Sequence, residues 1–70
     1  MKQDISIYTV IAREYLRKNR VYRYGMKRVV DMDDSEVMQK CHFWYTENHM
    51  EDDFRAFERK MLIEAGIVGK

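Results

Sequence analysis

Residues 32–45 read Met32-Asp33-Asp34-Ser35-Glu36-Val37-Met38-Gln39-Lys40-Cys41-His42-Phe43-Trp44-Tyr45, and their order decides the fold. The Asp33 carboxylate can accept a hydrogen bond from the backbone three residues on, where Glu36 stands ready to reciprocate, and Met32 and Val37 bracket the pair as a hydrophobic staple. A helix starts here. Within it Val37, Met38, Cys41, Trp44 and Tyr45 fall on one side at helical spacing and predict a stripe facing a core.

Towards the C-terminus, Asn48 and Glu51 repeat the cap-and-N3 pattern, and Asp52 and Asp53 add negative charge where a helix dipole favours it. A further helix is predicted, with Phe54, Phe57, Met61 and Ala65 as its buried stripe and Glu51–Arg55 and Lys60–Glu64 as pairs on its wet side. Gly66 reads as a left-handed stop, with Ile67 folding back on Leu62.

Towards the N-terminus, Asp4 is the expected cap of a helix running to about Tyr22. Ile5, Tyr8, Ile11, Ala12, Tyr15, Leu16, Asn19 and Tyr22 lie on one face of it. Residues 20–30 (RVYRYGMKRVV) fit two conformations, a short hairpin turning at Gly25 or a frayed helix end followed by a linker. The fold expected is therefore mostly α, a small three-helix bundle forming one domain over residues 1–70, with an irregular or hairpin-like segment near 20–30.

Composition agrees with a folded chain. Of 70 residues, 46% are hydrophobic and 36% charged with both signs interspersed, which excludes a disordered tail. Cys41 is the only cysteine, so no disulfide within the chain and no multi-cysteine zinc site can form. No apolar run approaches the roughly 18 residues of a membrane span, and Met1-Lys2-Gln3-Asp4 lacks the apolar stretch of a signal peptide. A cytoplasmic protein without membrane contact is expected.

Charge is uneven along the chain. Residues 1–30 carry eight Lys/Arg against two Asp/Glu, and residues 31–70 carry five against ten, although the net charge is only +1. The halves can attract each other within one molecule, attract a second copy, or offer the basic half to an anion.

Two constellations bear on function. His42-Phe43-Trp44-Tyr45 covers the whole circumference of its helix, so Phe43 projects away from Trp44 and Tyr45, beside Gln39 and Glu47 and, if the helix continues, one two-turn step from Met50. Phe43, Met50, Gln39 and Glu47 are thus the expected contact surface for another protein, a second copy of the chain included. Arg13, Arg17 and Arg20 align on the first helix, and Arg23, Lys27 and Arg28 continue the positive run with Tyr24 among them. Arginines on phosphates and tyrosines on unpaired bases make nucleic-acid binding the alternative.

Other chemistry is poorly supplied. His42 and His49 stand seven residues apart, about 10.5 Å along a helix, too far to share a metal ion. Cys41 falls among the inward positions, and no phosphate-cradling glycine loop, serine elbow or concentrated carboxylate pair appears. The expected function is a non-enzymatic protein-binding module, an adaptor or inhibitor with no cofactor and no metal. Compact accessory and inhibitor proteins, viral ones included, share this small proline-free character, which is association and not mechanism.

Overall fold

The computed structural model describes residues 7–66, in the order α1 (Ile7–Lys18), β1 (Arg23–Tyr24), β2 (Lys27–Arg28), a 3-10 turn (Val29–Asp31), α2 (Asp34–Glu47) and α3 (Glu51–Glu64). It is the small three-helix bundle that the sequence predicts, and of the two conformations open to residues 20–30 the chain takes the hairpin. The expected cap at Asp4, the stripe position Ile5 and the Ile67 side of the C-terminal stop lie outside the described residues.

Tyr15 is the centre of the core. Its ring is fully buried and meets Phe54 at 5.0 Å, Phe57 at 5.4 Å, Trp44 at 6.0 Å and Tyr45 at 6.3 Å between centroids, so one α1 side chain joins α2 to α3. Most of these pairs meet edge to face, the arrangement the ring quadrupoles favour. Its hydroxyl donates to Asp53 Oδ2 at 2.8 Å, which satisfies the polar end that burial would otherwise leave without a partner. Among the described residues Ile11, Ala12, Leu16, Val29, Met32, Val37, Cys41 and Leu62 complete the buried hydrophobic set.

The phase of α1 departs from expectation at both ends. Tyr8 and Tyr22 are exposed, while Thr9 is buried and its hydroxyl donates to the Met38 sulfur at 3.4 Å. Tyr22 escapes the stripe because α1 stops at Lys18. In α2, Met38 is exposed whereas Val37 and Cys41 are buried, and in α3 the buried position is Leu62 while Ala65 faces solvent.

The start of α2 is as predicted. Asp33 Oδ1 accepts from Glu36 N at 2.8 Å, and Met32 and Val37 are both buried as the staple requires. The Glu36 side chain, however, does not reach back to the cap. It receives Lys27 Nζ at 2.7 Å and ties the hairpin to the helix.

Helix ends are where expectation and structure part. The α1 chain reverses with Arg20 N donating to Arg17 O (2.9 Å) and Val21 N to Leu16 O (2.8 Å), a Schellman motif whose left-handed residue is Arg20 at φ 62. The same motif closes α2: His49 N donates to Thr46 O (3.2 Å), Met50 N to Tyr45 O (2.8 Å), and His49 has φ 56. Asn48 is therefore the C-cap of α2 and not the N-cap of α3; its Nδ2 donates to Trp44 O at 2.8 Å. Met50 takes the N-cap place without a side-chain hydrogen bond and packs on the core instead. Gly66, at φ 77, donates to Ile63 O at 3.0 Å, as a left-handed stop should.

Those two left-handed residues give a stability prediction. A left-handed conformation costs a residue with a Cβ about 1–2 kcal/mol, and glycine's extra freedom in the unfolded chain returns about 0.5–1 kcal/mol of that. Arg20→Gly should raise stability by about 0.5–1 kcal/mol in urea titration. His49→Gly should give about 0.5 kcal/mol or less, histidine being better tolerated there. A loss of stability in both variants would contradict the helix ends described above.

The hairpin pairs Arg23 with Arg28 and Tyr24 with Lys27, and Gly25 at φ 65 fills the first loop position, where this two-residue turn needs a positive φ. So short a hairpin is marginal alone. Here Val21 and Tyr24 pack on the core, Val29 is buried within it, and the Tyr24 hydroxyl donates to the Glu47 carboxylate at 3.0 and 3.1 Å.

Candidate functional site

The basic run is largely answered by the chain's own acids. Arg13 donates to Val29 O at 3.3 Å and Met32 O at 2.8 Å and lies 3.6 Å from Asp34, so it holds the 3-10 turn against α1. Lys27 meets Glu36 at 2.7 Å, and Arg28 meets Asp31 at 3.0 Å. Burial and the Glu47 carboxylate raise the Tyr24 hydroxyl pKa, and the Glu36 carboxylate raises that of Lys27, so both donors keep their protons in these contacts. Of the three arginines expected on one helical line, Arg20 lies past the helix end in its left-handed turn and leaves the line.

What remains available is narrower than the sequence suggests. Among the described residues Arg20 and Arg23 have no carboxylate within 4.0 Å, and Arg17, its side chain 74% exposed, has only Glu14 at 3.7 Å.

The expected protein surface on α2 is also altered. Phe43 does point away from the core stripe and is 40% exposed, with Gln39 and Glu47 exposed beside it. Met50 does not join them, because the chain turns at His49 and directs Met50 into the core. Glu47 is held by Tyr24, and the Lys40 ammonium lies 5.6 Å from the Tyr24 ring and 5.6 Å from the Phe43 ring. Phe43 thus borders the seam where the hairpin docks on α2.

The histidines separate for the same reason. His42 lies on α2 with Nδ1 3.1 Å from the Tyr45 hydroxyl, whereas His49 sits in the left-handed turn beyond that helix.

Cys41 is buried, and that burial, followed by the Glu58 carboxylate, pushes its thiol up to about 12. A thiolate nucleophile is suppressed by such surroundings. Burial and then the Asp53 carboxylate likewise raise the Tyr15 hydroxyl well above its ordinary value of 10.0. In both cases the unfolded chain releases its proton at lower pH than the folded one, so the stabilising effect is complete below the ordinary values and is lost as pH rises beyond them. The thermal midpoint should fall from about pH 9 upward, Cys41 contributing first, and Cys41→Ala should flatten the early part of that fall. A midpoint that holds steady to pH 11 would contradict the burial of both groups.

Sequence reasoning missed one surface. A groove of about 260 Å³ runs between α1 and the segments flanking the hairpin, lined by Arg13, Glu14, Arg17, Val21, Tyr22, Val29 and Val30. Val29 is buried and Val21 half-buried beneath it, while Tyr22 at 63% and Val30 at 76% exposure stand at its sides. Single exposed apolar side chains such as Met26 are ordinary, whereas Tyr22 and Val30 line one groove together and make a candidate interaction surface. The volume lies below the roughly 300–1,000 Å³ of small-molecule sites and suits one or two side chains. The signal was present in RVYRYGMKRVV, where Tyr22 and Val30 stand eight residues apart, but only the hairpin brings them together.

No family model matches the chain, nor does any curated protein or any solved structure. The functional reading therefore stands on this geometry. No helix among the described residues is long and apolar enough to cross a membrane.

Proposed function

We propose that this chain is a small non-enzymatic protein-binding module, an adaptor or inhibitor that engages its partner through the groove between α1 and the hairpin segment. The observation that carries the reading is the exposed pair Tyr22 and Val30 over an apolar floor of Val21 and Val29. Phe43 is a lesser part of the contact, since Lys40 and the hairpin already lean on its side of α2.

Burying such a pair removes apolar area from water at about 25 cal/mol per Å², which a domain this small has little other means of gaining. Neither side chain is needed for the core, so both can be changed without unfolding the protein.

The test is a photo-reactive amino acid placed at position 30, with position 64 on the exposed end of α3 as the control, in the cells the protein comes from. Position 30 should give discrete protein adducts and position 64 should not. Tyr22→Ser with Val30→Ser should keep the thermal midpoint within about 0.5 kcal/mol equivalent, as surface changes do, and should remove the adducts formed from a cross-linker at position 17. Adducts that persist in this variant would move the interface elsewhere.

A further inference from the structure

Resting on that reading, we infer that the groove takes a short acidic segment of another protein, an aliphatic or aromatic side chain entering between Tyr22 and Val30 with carboxylates placed on Arg17 and Arg20. The apolar part follows from the groove lining, and the charge follows from which cations the chain's own acids hold weakly or not at all.

Arg13 is committed to Val29 O, Met32 O and Asp34, Lys27 to Glu36, and Arg28 to Asp31. By contrast, Arg17 lines the groove and has only the 3.7 Å contact with Glu14. Arg20 and Arg23 adjoin the lining residues Val21 and Tyr22 in the chain, and among the described residues no carboxylate lies within 4.0 Å of either. An apolar slot whose lining holds the exposed, weakly paired Arg17, with Arg20 one residue from the lining Val21, is complementary to an apolar side chain with acids next to it. Arginine forks bind carboxylates in two-point fashion, which also fixes the direction of the segment.

The same charges fit a nucleic acid less well. A phosphate backbone needs cations in succession along its track, and here Asp31, Asp34 and Glu36 already take Arg28, Arg13 and Lys27. Only one aromatic ring, Tyr22, lines the groove, and two valines form its floor, which is an aliphatic slot and not a stacking platform.

The left-handed Arg20 adds direction. Its backbone reverses the chain out of α1 into Val21, which lines the groove, so Arg20 stands one residue from that lining.

The experiment pans a displayed library of random 12-residue peptides on the full chain, then measures the enriched peptides, fluorescently labelled, by anisotropy. Enriched peptides should carry Asp or Glu within four residues of Leu, Ile, Phe or Trp. Affinity should fall at least tenfold with Val30→Asp and at least fivefold with Arg17→Glu. Changing the peptide's own acids to Asn or Gln should cost a similar fivefold, which keeps the test decisive if Arg17→Glu fails to fold.

Apolar peptides that bind in the groove with no preference for acids would overturn this inference while leaving the protein-binding reading in place. Peptides indifferent to Val30→Asp, or no enrichment at all, would overturn both. Binding of a 20-residue oligothymidylate at 150 mM salt, abolished by Arg17→Glu, would replace the inference with nucleic-acid recognition. Concentration-dependent sedimentation abolished by Val30→Asp would replace it with a second copy of the chain.

Discussion

Tyr15→Ala is expected to remove about 3–5 kcal/mol, the greater part of a marginal fold's stability. Removing a large buried aromatic side chain costs about 3–5 kcal/mol, and a chain of 70 residues has roughly 3.5–10 kcal/mol in all. The loss is concentrated at one point, because Phe54 and Phe57 of α3 and Trp44 and Tyr45 of α2 all meet this ring. Tyr15→Phe separates the hydroxyl from the ring: it keeps the packing, gives up the 2.8 Å bond to Asp53, and should cost about 1–2 kcal/mol. Circular dichroism with urea titration reads both. A cooperative Tyr15→Ala transition within about 1 kcal/mol of the parent would show that the stacked rings of Tyr45 and Phe54, 4.3 Å apart between centroids, hold α2 to α3 without Tyr15.

Arg13→Met is expected to loosen the 3-10 turn and the groove with it. The guanidinium donates to two carbonyls of the turn, Val29 O and Met32 O, from a side chain that is 34% exposed. Hydrogen bonds from a charged donor are worth about 1.5–3 kcal/mol, and partial exposure places the loss near the lower figure. Arg13→Lys should recover little of it, since one ammonium on a flexible stem does not reproduce a planar fork spanning two carbonyls. Amide hydrogen exchange should show Val29 and Met32, whose amides donate to Tyr22 O and Val29 O, exchanging faster while the middle of α2 stays protected. Uniform acceleration would mean that Arg13 supports the whole bundle.

How much of this was legible in the sequence depends on how local the signal is. Asp33, Glu36, Met32 and Val37 lie within six residues, so their geometry is set by the helix they begin, and the start of α2 could be read directly. Gly66 was legible for the same reason. Arg20 and His49 were not, because neither is a glycine and the motif that holds them consists of backbone bonds any sequence can make. Once those two ends are misplaced, the errors propagate: Tyr22 stays in the stripe, Asn48 becomes a cap for the wrong helix, and Met50 is left on the surface beside Phe43.

The candidate site shows a second kind of limit. Which of Arg13, Arg17, Arg20, Arg23, Lys27 and Arg28 remains available depends on partners at Asp31, Asp34 and Glu36, brought near by the turn and the hairpin. Charge counting alone showed that the halves attract; only the fold assigns the pairs. The alternating Val and Tyr residues of the 20–30 segment suggested a strand but gave no sign that its flanks would stand open beside α1.

His49 offers headroom for experiments on the groove. It closes α2 through backbone bonds alone, its ring is exposed, and it is not among the groove's lining residues. Chains this short sit close to the threshold below which a substitution empties the folded population, so a binding variant and an unfolded one can look alike in a capture assay. His49→Gly would widen that margin by up to about 0.5 kcal/mol without altering the surface under test, enough to offset the folding cost of a mild groove substitution.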